Sequence, residues 1–223
     1  YTFIGWDKSF DNITEDTVVT AQYEQIMVKV TFVATEGGSL VGVTEVEVPY
    51  GSELYKVTFP ETAAEDGYSF VGWDKTYGTL EEDTVVTAEF AKNSYTVTFV
   101  DMNGAVIGTE EVLHGESATA PEAPEVTGKT FAGWVDAEGN VVSDFSNVTS
   151  DAEYTASYTD NKFTVTFVDH DGTVLKEEEV EYGADATAPA DPVWEGHTFT
   201  GWEGSYVNVT EDRTITAKYD TVM

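Results

Sequence analysis

The sequence predicts a string of small modules, each α+β or mainly β, and each made of two β-hairpins joined by a crossover. Three observations predict it. A Gly-Trp pair closes an aromatic strand four times, at Gly5-Trp6, Gly72-Trp73, Gly133-Trp134 and Gly201-Trp202. Each pair is followed by a Thr-Ala-x-aromatic segment, at Thr20–Tyr23, Thr87–Phe90, Thr155–Tyr158 and Thr216–Tyr219. Thr-Phe-Val recurs at Thr31–Val33, Thr98–Val100 and Thr166–Val168, spaced 67 and 68 residues apart. Repetition at a fixed period signals architecture, one supersecondary unit per period. The boundaries follow: 1–27 is the second half of a truncated repeat, and 28–94, 95–162 and 163–223 are repeat modules. The half repeat starts directly at Tyr1-Thr2-Phe3, so the chain reads as a piece cut from a longer protein. Half a sheet leaves an edge and an apolar face to cover.

The third module shows the elements most plainly. Phe163, Val165 and Phe167 alternate with Thr164 and Thr166, the period of a half-buried strand. Asp169-His170-Asp171-Gly172 follows, and Asp-Gly between strands marks a hairpin. The return strand spans about Thr173 to Tyr182. Leu175 falls on the opposite parity from Val180 and Tyr182, which places a bulge near Glu177-Glu178-Glu179. The same hairpin recurs at Tyr95–Val100, Asn103-Gly104 and Ala105–His114, and Glu36-Gly37-Gly38 takes the turn in the first module.

The crossover carries Pro189 and Pro192 in the third module and Pro121 and Pro124 in the second. Prolines three apart suit a polyproline or one-turn segment. In the first module Leu54–Gly67 is longer, and the sequence predicts a short helix opened by Pro60 and ended by Gly67. The last hairpin pairs Thr198–Trp202 with Thr214–Tyr219, where Ile215, Ala217 and Tyr219 face inward. An Asp precedes each last strand, at Asp16, Asp83, Asp151 and Asp212, as turn chemistry. Gly201 reads as a close approach of backbone or ring.

Composition narrows the function classes. Acidic residues number 42 against 10 basic, for a net charge of −32. That sign repels nucleic acid and anionic membrane surfaces; the acids are spread over all modules and read as solubility with self-repulsion. Modules this short are marginal unless well packed, and 5 Trp, 12 Tyr and 12 Phe supply the area. The absence of cysteine fits a cytosolic or a bacterial surface protein. No stretch is long enough to span a membrane, so no direct insertion is expected.

The repeated rings read as structural core: Trp6, Trp73, Trp134 and Trp202, with Phe32, Phe99, Phe167, Tyr23, Phe90, Tyr158 and Tyr219. The alternative for the four tryptophans is a set of sugar-stacking platforms, but their repetition beside glycine argues for packing. Trp194 has no aromatic counterpart in the other modules. It is the single candidate for an exposed binding contact, weighed against extension of the core. Asp101, Asp169 and Asp171 resemble the start of a calcium loop, but a strand follows Gly172 where further oxygens and a distal Glu are needed, so they read as turn residues. Asn12-Ile13-Thr14, Asn147-Val148-Thr149 and Asn208-Val209-Thr210 match a glycosylation acceptor. They occupy one equivalent position, filled by Gly78 in the first module, and read as a turn. His114, His170 and His197 lack metal-site spacing, and His114 stands where Tyr50 and Tyr182 stand elsewhere. No nucleophile–base set, phosphate loop or recurring buried lysine is present, so no catalytic residue, metal ligand or cofactor is expected.

The motifs that carry a resemblance are, in order, Tyr-Thr-Val-Thr-Phe-Val, the Asp-Gly hairpin, Tyr182-Gly183, Ala-Pro-x-x-Pro, Thr-Phe-x-Gly-Trp, Asn-Val-Thr-Glu-Asp and Thr-Ala-x-Tyr. This combination resembles the Listeria–Bacteroides repeat, or internalin B-repeat, over the whole chain. The resemblance implies β-grasp-like, ubiquitin-like modules in an extracellular or cell-wall-attached bacterial protein. It implies a non-catalytic stalk or spacer that supports adhesion or displays neighbouring domains; the alternative is a module that binds a host surface protein or a glycan. The longer first crossover and the Val135–Val142 loop depart from the pattern, and under the binding alternative these are the places for unit-specific contact. Compact scaling makes each unit roughly 28 Å across, so three in line would reach roughly 85 Å. The short linkers Ala91–Ser94 and Thr159–Lys162 predict modest bending.

Overall fold

The structure, a computed structural model, describes residues 1–222. It is mainly β. Among the described residues the helical segment is one 3₁₀ turn, Leu54–Lys56, and no helix is long and apolar enough to cross a membrane.

The half repeat forms a two-stranded antiparallel sheet, β1 (Thr2–Trp6) with β2 (Ala21–Glu24). The first module contains β3 (Met27–Ala34), β4 (Gly38–Val41), β5 (Glu45–Pro49), β6 (Ser52–Glu53), β7 (Glu61–Ala64), β8 (Tyr68–Trp73), β9 (Thr79–Leu80) and β10 (Thr84–Lys92). The second contains β11 (Ser94–Val100), β12 (Val106–Leu113), β13 (Lys129–Val135), β14 (Val141–Val142) and β15 (Ala152–Asp160). The third contains β16 (Lys162–Val168), β17 (Val174–Glu181), β18 (His197–Glu203) and β19 (Arg213–Thr221).

The three main sheets share one plan: β5-β3-β10-β8, β12-β11-β15-β13-β14 and β17-β16-β19-β18. The first and last strands of a module lie parallel at the centre, and each hairpin mate flanks its own partner antiparallel. A parallel pair cannot be closed by a tight turn, so the crossover must span the sheet, and it covers one face. Alternation then decides the interior. Val28, Val30 and Phe32 point inward from β3, and Val165 and Phe167 from β16. With Leu54, Leu80 and Val86 the first set makes the first module's core, and with Val180, Ala186, Val209 and Ile215 the second makes the third's. In the second module Val97, Phe99, Val112, Ala118, Trp134 and Ala156 are buried. Burying each Val or Phe stabilises by about 1.5–3 kcal/mol.

The described residues fall into two compact units. One comprises Tyr1–Tyr95, Val112–Glu116 and Asn147–Ser150; the other comprises 96–111, 117–146 and the chain from Asp151 onward.

Several expectations are corrected. The helix expected between Pro60 and Gly67 is instead β7, which pairs antiparallel with β4, Gly38↔Ala64 through Val41↔Glu61. The extra length of this crossover supplies a strand for a ladder the other modules' hairpins do not build. The bulge expected in the return strand is present: it lies at Leu175, between the pairs Phe167↔Lys176 and Val168↔Val174, just before the acidic run, which itself pairs in register. Gly201 admits no close neighbour: a Cβ there would meet nothing within 4 Å. Its φ of +132° and the register shift between Phe199 and Gly201 show what it does. It relaxes a bulge that turns the following tryptophan inward. Equivalent shifts precede Gly5 and Gly133.

The repeat pattern places Trp6 and Tyr23 in the core, but they are 52% and 59% exposed. Residues 1–27 carry neither a first hairpin nor a crossover, so most of what covers this sheet face in a complete module is missing from that segment. Trp6 packs only edge-on against Phe3 and Phe10, at 5.6 and 6.3 Å between ring centroids. In complete modules the rings do meet a core. Trp134, Phe32, Phe99 and Phe167 are buried, and Trp73, Trp202, Phe90, Tyr158 and Tyr219 are half-buried. Phe32–Trp73, Phe99–Trp134 and Phe167–Trp202 meet edge to face at 5.5, 4.9 and 5.1 Å.

Candidate functional site

Trp194 sits in the turn that ends the third crossover, where the His197 N–H donates to its carbonyl at 3.0 Å. The β16–β17 hairpin turn brings His170 to one face of the indole, and the start of β18 brings His197 to the other. The His170 and His197 rings stack on Trp194 at 3.7 and 3.5 Å, tilted by only 11° and 7°. Tyr219 meets its edge at 5.3 Å. Both faces of the indole are therefore covered. The faces on which a sugar ring would stack are taken by the two imidazoles, and Trp194 is half-buried.

The cluster continues into the hairpin. The Tyr219 hydroxyl donates to Asp169 Oδ1 at 2.7 Å, and the same oxygen accepts the His170 backbone N–H at 2.8 Å. Burial, then the bond to Asp169, push the Tyr219 hydroxyl up to about 12. The Tyr219 hydrogen bond in turn holds Asp169 below the usual carboxylate range. Asp169, His170 and Asp171 bring candidate metal-ligand atoms within 4.8 Å of one another. One oxygen of each carboxylate also serves the turn. Asp171 accepts the Thr173 N–H at 2.9 Å. Asp101 does the same work in the second module, taking the Asn103 and Ala105 N–H groups at 2.8 Å each. Turn chemistry accounts for these acids.

Three features were not foreseen. First, the Asp before each last strand does more than shape a turn. Asp83, Asp151 and Asp212 accept the backbone N–H of Lys29, Thr96 and Thr164 at 2.7, 2.8 and 2.8 Å, clamping the first strand beside its parallel mate. Second, a carboxylate fastens the crossover to the second strand. Glu110 accepts the Thr119 N–H at 2.7 Å and Glu178 accepts the Thr187 N–H at 2.8 Å. Counting back four residues from His114, Tyr182 and Tyr50, the first module has Val46 at this place.

Third, the same joint occurs twice. Within the first unit, the Asn93 N–H donates to the Gly67 carbonyl and the His114 N–H to the Asn93 carbonyl, both at 2.8 Å. Within the second, Asn161 N–H donates to Gly128 and Tyr182 N–H to Asn161, both at 2.9 Å. The Asn side chains accept from Ser69 and Thr130, each at 2.6 Å. At each joint the aromatic ring of the following module lies directly on the glycine. Val222 N–H donates to Gly196 at 3.0 Å, repeating the first link of the relay. A signal for this was present: Gly67, Gly128 and Gly196 each stand five residues before a Gly-Trp glycine. The partner ring was not readable, because His114 and Tyr182 lie in the next repeat.

The Asn-x-Thr sites are turns: Asn12, Asn147 and Asn208 have φ of +56°, +53° and +48°, a conformation that asparagine tolerates better than most residues.

Three stretches, residues 29–89, 95–160 and 163–221, match the Listeria-Bacteroides repeat domain. The chain is 35% identical over 195 residues to a membrane protein of Evansella cellulosilytica, covering 82% of this chain and 28% of that protein. It is 36% identical over 115 residues to Internalin H of Listeria monocytogenes, covering 43% of this chain and 21% of that protein. It thus spans between a fifth and a third of these relatives. Among solved structures it is similar to the streptococcal SHIRT domains 3-4 from a cell surface protein, at 19% identity and a TM-score of 0.33, over 60% of this chain and 98% of that one. It is also similar to the Bacillus anthracis TIE protein, at 10% identity and a TM-score of 0.34, over 91% of this chain and 52% of that one.

Proposed function

The chain belongs to the Listeria-Bacteroides repeat family, and from that premise we propose that it is a non-catalytic stalk or spacer region of a bacterial cell-surface protein, displaying neighbouring domains outside the cell. The observation that carries the reading is the joint. The same glycine–asparagine–aromatic relay links one repeat to the next at both junctions between complete repeats, so these connections are specified by the fold as the modules are. A spacer needs that property, whereas a set of independent binding domains does not. We read each sheet, with its parallel central pair and covering crossover, as β-grasp-like. The family resemblance and the name Internalin H both favour a surface location.

A swap in the intact surface protein tests this. Replacing residues 28–221 by an unrelated spacer of equal reach should leave adhesion or display unchanged, while deleting them should abolish it. If the swap fails as badly as the deletion, the repeats carry a specific activity and the spacer reading falls.

A further inference from the structure

We propose that the first module also carries a peptide-binding groove, and that its occupant is an extended, lysine- or arginine-bearing segment of a partner protein laid along the open edge of β5. This goes beyond a spacer role and does not depend on it.

The groove exists because a fastening is missing. Where Glu110 and Glu178 tie the crossover to the second strand, Val46 has no carboxylate to offer the longer crossover. A cavity of about 930 Å³ opens there in the first module, against about 250 Å³ beside Glu110 and Thr119 in the second. Its lining is largely aliphatic, with Val41, Val43, Val46, Val57, Phe59 and Pro60. Val41 and Val43 are 53% and 67% exposed, a grouping of bare valines that a solvated loop has no reason to keep.

A strand edge borders it. β5 is the outermost strand of its sheet. The bonds Phe32 N–H to Thr44 carbonyl and Tyr50 N–H to Ile26 carbonyl, at 2.8 and 2.9 Å, bracket the β3–β5 ladder. Antiparallel bonding alternates, so the backbone groups of Glu45 and Glu47 point away from β3 and are available to an added strand. Strand addition supplies affinity through the main chain, and the groove takes alternate side chains.

Charge selects the occupant. Glu53 and Glu61 line the groove and Lys56 is the basic side chain among its lining residues. Glu45 and Glu47 flank the open edge, on a chain of net charge −32. An acidic peptide or a nucleic acid is repelled, while alternating aliphatic and cationic side chains satisfy valines and carboxylates together.

The probe is an alternating lysine–valine peptide of about seven residues, long enough to run the length of β5, added to the full chain and followed by amide NMR. Shift changes should be confined to residues 41–61, including the Glu45 and Glu47 amides. Val43→Lys, at an exposed position, should weaken binding at least about tenfold without altering the spectrum elsewhere. Val46→Glu should act in the same direction by restoring the fastening. Methylating alternate backbone nitrogens of the peptide should abolish binding. The proposal is overturned by shifts scattered over all three modules, by equal binding of a glutamate–valine peptide, by shifts that grow with protein concentration alone (a second copy filling the groove), or by no binding at millimolar peptide.

Discussion

The ring of Tyr182 rests on the backbone of Gly128, so closely that a Cβ on that glycine would come within 2.4 Å of the tyrosine Cδ1. Gly67 stands in the same relation to His114, at 2.2 Å from the ring's Cδ2. Both glycines also hold a left-handed conformation, with φ of +75° and +77°. Gly196 shares the conformation, at +78°, but a Cβ there would meet nothing within 4 Å.

The comparison separates backbone strain from contact. Gly196→Ala should cost about 1–2 kcal/mol, the strain of a left-handed alanine. Gly128→Ala should cost about 2–4 kcal/mol, because the ring must also move. Urea denaturation of the two variants measures the difference, and ¹⁵N relaxation at Asn161 should show added motion for Gly128→Ala only. Equal losses would mean that the ring contact contributes nothing.

Trp194→Ala should destabilise the third module by about 1–3 kcal/mol and leave the spectra of the first module unchanged. A double-mutant cycle between Trp194→Ala and His170→Ala should return a coupling of about 0.5–1.5 kcal/mol. On a glycan array the variant and the parent should behave alike. Loss of a sugar signal with Trp194→Ala would show that the stack opens.

Alkaline pH should weaken the third module. The Tyr219 hydroxyl is raised to about 12 in the folded chain, against about 10 unfolded. The unfolded chain therefore loses this proton first, so the stabilisation is whole below pH of about 10 and drains away as pH rises toward the folded value. Asp169→Asn removes the carboxylate that accepts the bond, and NMR titration of labelled tyrosine should then show Tyr219 ionising at lower pH.

Acid should act on the hairpin turns. The backbone N–H of Ala105 is the chief cause holding Asp101 below its ordinary range, the Asn140 side chain does so for Asp136, and the Thr173 N–H does so for Asp171. Each contributes stability that is present above the unfolded carboxylate value and is lost as pH falls through the lower folded value. Thermal midpoints should fall below pH of about 4, and Asp101→Asn should flatten the second module's share of that decline.

Much of the architecture could be read without coordinates, for a physical reason. Strand alternation at Phe163–Phe167 and the Asp171-Gly172 turn are local, and the period of Gly-Trp and Thr-Phe-Val counts the modules. The core rings of complete repeats follow from the same alternation. Trp6 and Tyr23 do not, because burial depends on what lies over a face, and residues 1–27 hold only half of what covers it in a full module. The Pro60 helix failed similarly: β7 exists because β4 is there to pair with it.

By itself, then, the amino-acid order determined the repeat, its hairpins and its family, since turns and strand alternation rest on neighbours a few residues apart and the repeat on a period that can be counted. Tertiary structure alone decided that Trp194 is sandwiched between imidazoles, that Glu110 and Glu178 fasten crossovers while Val46 leaves one open, and that Gly67 and Gly128 lie under rings from the next repeat. Those contacts join residues far apart in the chain, and whether a face is covered or a carboxylate reaches an N–H is settled only when the segments meet in space.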